Sequence, residues 1–313
     1  MERRQSCRPS FGLLVIMIQK LKFDPKPCIM IVGCGDIGLR VAALEQASGQ
    51  TVVALARSES SAYNLSQHGI KSIRGDLDQL QTLYDLPTEL TVLYYFAPPP
   101  ATGDDDSRLA AFVHALGKQA LPRRVVYIST SGVYGDCGGA WVNEDSAVNP
   151  RSDRARRRAA AEKQLVEWCV CEGMESVILR VPGIYGPGRL PSERIRRAVP
   201  VVRLEDSPWS NRIHADDLAQ ACFLAGHRRG AAGIYNISDG NPTTMTDYFN
   251  RVADFLGLPR PPVISMEEAR NTLGPGILSF LEESKRLDNK RMLEELGVVL
   301  RYPDLALGLP HCI

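Results

Sequence analysis

The chain predicts an α/β fold, a doubly wound parallel sheet carrying a small C-terminal lobe. Two observations predict it. Short apolar runs alternate with longer helical stretches along most of the sequence. Repeated β-α-β units of this kind put a parallel sheet between two helical layers. The alternation then fails twice, at 182–208, rich in Gly, Pro and Arg, and from Gly240 onward, where turn residues separate helical pieces at 245–256 and 279–296. Such stretches supply a lobe beside the sheet.

The first strand is Cys28–Val32, an apolar run. It leads into Gly33-Cys-Gly35-Asp-Ile-Gly38 and a helix over 37–47 with apolar spacing at Ile37, Val41 and Leu44. In that context the three glycines have separate uses: Gly33 for a tight turn, Gly35 for close backbone approach, Gly38 for helix–strand packing. With Asp36 and Ile37 between them, they open a helix whose free N–H groups suit a dinucleotide pyrophosphate. The fold is therefore of Rossmann type.

The second strand, Thr51–Ala56, ends in Arg57-Ser58 and a helix at Glu59–Gln67. NAD sites carry an acid at this position for the ribose hydroxyls. A guanidinium beside a hydroxyl suits a 2′-phosphate, so NADP is favoured and NAD is the second choice. A third strand at 69–74 delivers Asp76, an acceptor for an adenine amino group or an ordinary turn acid. A fourth at 91–96 delivers Ala97-Pro98-Pro-Pro, a donor-poor turn against the cofactor or a rigid linker. A helix at 106–119 precedes the fifth strand, 124–129. This strand presents Ser129, Thr130 and Ser131 at the sheet edge, where a hydroxyl reaches a substrate carbonyl or caps the strand. A helix at 154–171, a strand at 177–180, a helix at 215–225 and a strand at 234–237 complete the sheet.

The chain has 313 residues, 44% hydrophobic and 23% charged, with net charge +1. These values favour a globular protein and give no sign of a nucleic-acid partner. The apolar stretch at 11–18 is too short for a membrane span and lacks a cleavage signature. Residues 1–27 are expected to be a disordered or weakly docked extension, with Met17 as an alternative start. The eight cysteines show no paired CxxC spacing. No metal site is expected, and reduced thiols fit the cytoplasm.

The ordered motifs resemble a known family, the extended and atypical short-chain dehydrogenases/reductases, with their NAD(P)-dependent epimerases and dehydratases. They are the glycine turn, Gly75-Asp76-Leu77, Ile128-Ser-Thr-Ser-Gly-Val-Tyr-Gly135, Leu179-Arg-Val-Pro-Gly-Ile-Tyr-Gly-Pro-Gly188 and Asn211-Arg-Ile-His-Ala-Asp-Asp-Leu218. The resemblance runs from Cys28 to the last helix. It implies a cofactor domain at 28–182 and 211–239 and a substrate lobe at 183–210 and 240–313. By the same resemblance, Asp76 contacts adenine and Thr130, with Ser131 beside it, is the catalytic hydroxyl. Tyr185 lies in the loop that passes the nicotinamide. His214, Asp216 and Asp217 mark where the chain rejoins the main domain, the acids serving to cap and anchor a helix. The glycine spacing departs from the family's usual GxxGxxG.

A larger departure concerns the acid/base pair. The family carries Tyr-x-x-x-Lys; the ungapped register puts Arg154 and Arg158 there, four apart on one helical face. Arginine, with a pKa above about 12, passes no proton near neutrality but stabilises an oxyanion or clamps an anion. Three readings follow. The chain is an atypical oxidoreductase or epimerase/dehydratase-like enzyme acting on a small carbonyl or hydroxyl substrate, with water, Tyr134, Tyr185 or His214 as proton source. Or it is a catalytically silent NADP(H)-binding sensor or partner-binding protein. Or Arg151, Arg154, Arg156, Arg157 and Arg158 form a solvated basic face. Arg189, Arg194, Arg196 and Arg197 suggest an anionic substrate. A monomer or homodimer is expected.

Overall fold

The structure is a computed structural model and describes residues 28–84, 86–87, 90–116 and 121–313, with nothing described of the Cys28 side chain. The expectations for residues 1–27 lie outside the described residues. Seven strands form the central sheet: β1 Cys28–Val32, β2 Thr51–Ala56, β3 Lys71–Arg74, β4 Val92–Tyr95, β5 Arg124–Thr130, β6 Glu175–Val181 and β7 Gly233–Asn236. Their spatial order is β7-β6-β5-β4-β1-β2-β3, and every pairing is parallel. The order reverses between β1 and β4, so a crevice opens at their carboxyl ends.

Side-chain alternation explains why β1 and β4, inside the sheet, are apolar on both faces. Ile29 and Ile31 of β1 face one core; Met30 and Val32 face the other. The first core is closed by helices α1 (Asp36–Ala47), α2 (Glu59–Gln67) and, further along the chain, Ala215–His227. The second is closed by α3 (Ser107–Leu116) and α4 (Asp153–Cys171), through Phe112, Ala161 and Leu165. We label Ala215–His227 α5. With both sheet faces covered, strands need no polar side. Residues 117–120, the end of the expected third helix, lie outside the described residues.

A separate apolar core gathers the two irregular stretches. Tyr185, Ile195 and Val202 pack with Tyr248, Phe249 and Val252 of helix α6 (Met245–Phe255) and with Leu305 and Leu309. One expected element is corrected. The stretch 279–296 is not a continuous helix: it divides into Pro275–Leu281, a strand Arg286–Leu287 paired with Trp141–Val142, and a π-helical turn Met292–Leu296. Side-chain and sheet bonds outweigh helix propensity there. Ser284 N donates to Asp136 Oδ1 at 3.0 Å, and Leu287 N donates to Asn211 Oδ1 at 2.8 Å.

Candidate functional site

At the crevice, Gly33 makes the turn with φ +86, and a Cβ added to it would lie 2.5 Å from Ala97 N. Ala97 and Phe96 are held there because both backbone N–H groups donate to Val32 O, at 3.1 and 2.8 Å. Gly35 is different: a Cβ there would meet nothing within 4 Å. It is the N-cap of α1 and supplies no side-chain cap, whereas Ser58, Ser152, His214 and Thr244 cap α2, α4, α5 and α6. The first bond within α1 is Leu39 N to Gly35 O, at 2.8 Å. The N–H groups of Asp36, Ile37 and Gly38 therefore have no partner within α1 and lie at the positive end of the helix, beside the open space at Gly35, an arrangement that fits a diphosphate.

Asp36 puts a carboxylate in the first turn of that helix. Arg189 Nε donates to its Oδ2 at 2.5 Å and Arg40 Nε to its Oδ1 at 2.9 Å. Burial pushes the carboxyl up, but hydrogen bonds from Arg189 and Arg40 outweigh it and hold the group below its ordinary range. The negative charge is thus neutralised where an anion would otherwise be repelled.

A pocket of about 310 Å³ continues past β2 and β3, lined by Gly33, Arg57, Asp76, Ala97, Pro98 and Arg108. Arg108 grips Asp78 with two bonds of 2.7 Å and donates to Pro98 O at 3.2 Å, fixing the floor. Arg57 is exposed and makes no hydrogen bond or ion pair among the described residues. Ser58 is not beside it in the pocket; its hydroxyl accepts from Ser61 N at 3.2 Å and caps α2.

A second cavity, about 730 Å³, lies past β5 and reaches the third core. Thr130, Ser131 and Arg154 line it together. Thr130 Oγ1 accepts from Gly132 N at 3.1 Å, so it caps the turn Ser131–Tyr134 and keeps its own hydrogen for another acceptor. Arg154 is carried by the first turns of α4, whose Ala155 packs within 3.5 Å of a Cβ built on Gly132. Deeper on the same helix, buried Glu162 accepts from Ser129 Oγ and, at 2.8 Å, from Arg180 Nη2 of β6. That ion pair locks α4 across β5 and β6.

The two arginines of the expected pair part company. Arg158 does not line the cavity; its Nη1 donates to Tyr127 OH at 2.9 Å and to Ile128 O at 2.7 Å. The basic run is also not a uniform solvated face. Arg157 is buried and donates to Gly103 O at 3.0 Å, while Arg156 pairs with Asp153.

The three expected proton sources lie elsewhere. Tyr134 OH donates to Asn236 Oδ1 at 2.7 Å, and burial raises its pKa. Tyr185 is fully buried, donates to Asp304 O at 3.2 Å, and burial pushes its phenol far up. Its side chain meets Gly308, not the cavity. His214 Nδ1 accepts from Asp216 N at 3.2 Å, and burial lowers its pKa to about 4, so the ring is neutral at pH 7 and offers no imidazolium proton. Asp217 accepts from Arg301 N and Tyr302 N, each at 2.9 Å, and anchors the 301–302 segment; His214 is the cap of α5.

Sequence reasoning missed Lys285. It is 5% exposed, lines the cavity, and donates to Gly135 O at 2.7 Å and Glu283 Oε2 at 3.0 Å. Read as a helix, 279–296 offered no reason to aim this lysine inward. The Glu-Ser-Lys run beside a break after Leu281 was the available signal.

Residues 29–238 match the NAD dependent epimerase/dehydratase family. Among curated relatives, a dTDP-glucose 4,6-dehydratase from Streptomyces niveus is 26% identical over 59% of this chain and 60% of its own length, so the chain matches less than two thirds of that enzyme. Among solved structures, a functionally unknown conserved protein from Silicibacter pomeroyi is 30% identical, covers 91% of this chain and 97% of its own, and superposes with TM-score 0.75. MoeE5, solved with UDP-glucose and NAD, shares the fold at TM-score 0.68 and 22% identity over 90% of this chain and 96% of its own. The chain belongs to the NAD dependent epimerase/dehydratase family.

Proposed function

We propose that this protein is a cytoplasmic NADP(H)-dependent oxidoreductase or epimerase/dehydratase-like enzyme. It acts on a carbonyl or hydroxyl of a small, anionic substrate without a Tyr-x-x-x-Lys pair. One observation carries the reading: both cavities open along the carboxyl edge of one sheet, with Arg57 and Asp76 at one end and Thr130, Ser131 and Arg154 at the other. A bound nicotinamide dinucleotide would supply hydride chemistry between them. The N–H groups at the start of α1 receive the diphosphate, Arg57 pairs with the 2′-phosphate, and Asp76 meets the adenosine. Thr130 and Ser131 donate to the substrate oxygen, and Arg154 stabilises charge that builds there.

Arg154 cannot release the proton that the oxygen needs, and we assign its delivery to Lys285. Two of its three N–H groups are spent on Gly135 and Glu283, which leaves one for the cavity it lines. In the reductive direction that proton would pass from Nζ to the substrate oxygen, water would return one to Nζ, and the Glu283 carboxylate would hold the ammonium in place.

Titration with NADPH and NADH tests the reading first; NADPH is expected to bind at least about 10-fold tighter. Turnover of a carbonyl panel is then followed by NADPH absorbance. Lys285→Arg should keep cofactor binding and lose about 100-fold or more in rate. Failure to bind either reduced nucleotide overturns the proposal. A second reading, a silent NADP(H)-binding sensor, is favoured by the burial of Tyr134, Tyr185 and His214 away from the cavity. The Arg154→Tyr, Arg158→Lys variant separates the two. A sensor's site stays inactive with cofactor bound.

A further inference from the structure

The larger cavity holds more positive charge than its own acids neutralise. Arg189 is bound to Asp36, and Lys285 is bound to Glu283. Arg154, Arg194 and Arg212 also line it, and none makes a close ion pair among the described residues; Arg212 feels an acid, Asp239, at longer range. Each lies on an aromatic ring instead. Arg154 sits 4.4 Å from the Phe280 centroid, Arg194 4.3 Å from Phe249, and Arg212 4.1 Å from Tyr248. Tyr248 and Phe249 are consecutive in α6 with rings 5.7 Å apart, so Arg194 and Arg212 share one wall.

Stacking uses the face of a guanidinium and leaves its in-plane N–H edge for another acceptor. Arg212 spends one N–H on Asn211 O, at 2.7 Å. Arg194 Nε is closed to solvent and has no hydrogen-bond partner among the described residues. Burial lowers the pKa of both. Placing two guanidiniums in partly dry surroundings with no close ion pair opposes folding. Stacking fixes their direction but does not satisfy their donors. An anion from outside does both.

We propose that Arg194 and Arg212, with Arg154 across the same cavity, form a clamp for a dianionic oxyanion group, a phosphate monoester or a pair of carboxylates. The group would be carried by the substrate whose carbonyl or hydroxyl meets Thr130. This identification of the substrate rests on the proposed enzymatic reading; the clamp itself does not. In the register expected from the sequence, Arg154 takes the position of the family's tyrosine, and there it would face the ligand as a fixed cation.

Thermal melts and calorimetry on the full chain, with NADPH present, test the clamp. The probes are inorganic phosphate and malonate, against chloride at matched ionic strength. Phosphate or malonate should raise the melting temperature saturably, and the stronger of the two identifies the group. Arg194→Met and Arg212→Met should each weaken that anion by about 10-fold or more, and the double variant should lose the response. Without anion the double variant should melt no lower than the parent, because it no longer buries unpaired cations. If it does not fold, Arg194→Lys and Arg212→Lys are read instead, with an expected weakening of about 5-fold. An equal response to chloride, or a response that survives the variants, overturns the clamp. Anion binding lost in the variants, in a protein that binds no NADPH, would sink the cofactor reading and leave the clamp standing.

Discussion

Gly33 and Gly35 sit two residues apart in one loop, yet alanine at each should fail in opposite ways. At Gly33 the backbone is left-handed, φ +86, and a Cβ would come within 2.5 Å of Ala97 N and 2.8 Å of Ala97 Cα and Phe96 C. The left-handed conformation costs a non-glycine residue about 1–2 kcal/mol. Backbone atoms that cannot step aside add about 1–3 kcal/mol. Gly33→Ala should thus lose about 2–5 kcal/mol of stability. At Gly35 the φ is −85, and nothing lies within 4 Å of a Cβ. Gly35→Ala should leave stability within about 1 kcal/mol of the parent. Its methyl would occupy the space in front of the α1 N–H groups, so NADPH affinity should fall by about 10-fold or more. Urea denaturation measures the first quantity and a fluorescence titration the second. An alanine at 35 that binds NADPH like the parent would refute the assignment of the α1 N-terminus to a diphosphate. An alanine at 33 that folds like the parent would refute the packing argument.

Three further outcomes are expected. Glu162→Ala strands Arg180, 3% exposed, and should cost about 3–5 kcal/mol in denaturant unfolding; a loss under about 1 kcal/mol would show that water replaces the carboxylate. Asp239 is buried, with Oδ2 lacking a partner among the described residues, and burial raises its pKa to about 7. Its folded form keeps a proton that the unfolded chain has released above about pH 4, so it removes stability as pH rises from about 4 to about 7. Asp217, raised to about 6 by burial, acts in the same direction. His214, lowered to about 4, acts oppositely, gaining stability between about pH 4 and 6.5. Asp239→Asn should therefore flatten the decline between about pH 4 and 7, and parallel curves for the two proteins would remove Asp239 from the account. Arg57→Asp should reverse the preference between NADPH and NADH, measured by parallel titration; an unchanged ratio would place the 2′-phosphate elsewhere.

The central sheet was legible because its signals are local. An apolar run of five residues such as Cys28–Val32, closed by a glycine turn, admits few alternatives, and β2 and α2 match the expected spans. Arg57, Asp76, Ala97 and Pro98 were legible as strand-end residues because parallel strands deliver their successors to one edge. What was not legible depends on side chains meeting across the fold. Arg154 and Arg158 share a helical face, yet the second is captured by Tyr127 and the Ile128 carbonyl. Tyr185 follows a motif but is enclosed by Gly308, more than a hundred positions later. Lys285 was hidden because Asp136 and Asn211, on distant loops, pull its segment out of a helix.

That Lys285 segment has a bearing on biosynthesis. The pocket past β3 draws on residues no later than Arg108, whereas the larger cavity lacks a wall until Ser284 and Lys285 dock on the Gly135–Asp136 corner. If that cavity is the reaction chamber proposed above, it would be closed only after nearly the whole chain has been synthesised, so a truncation before Ser284 would leave the first pocket's lining complete and the second one open.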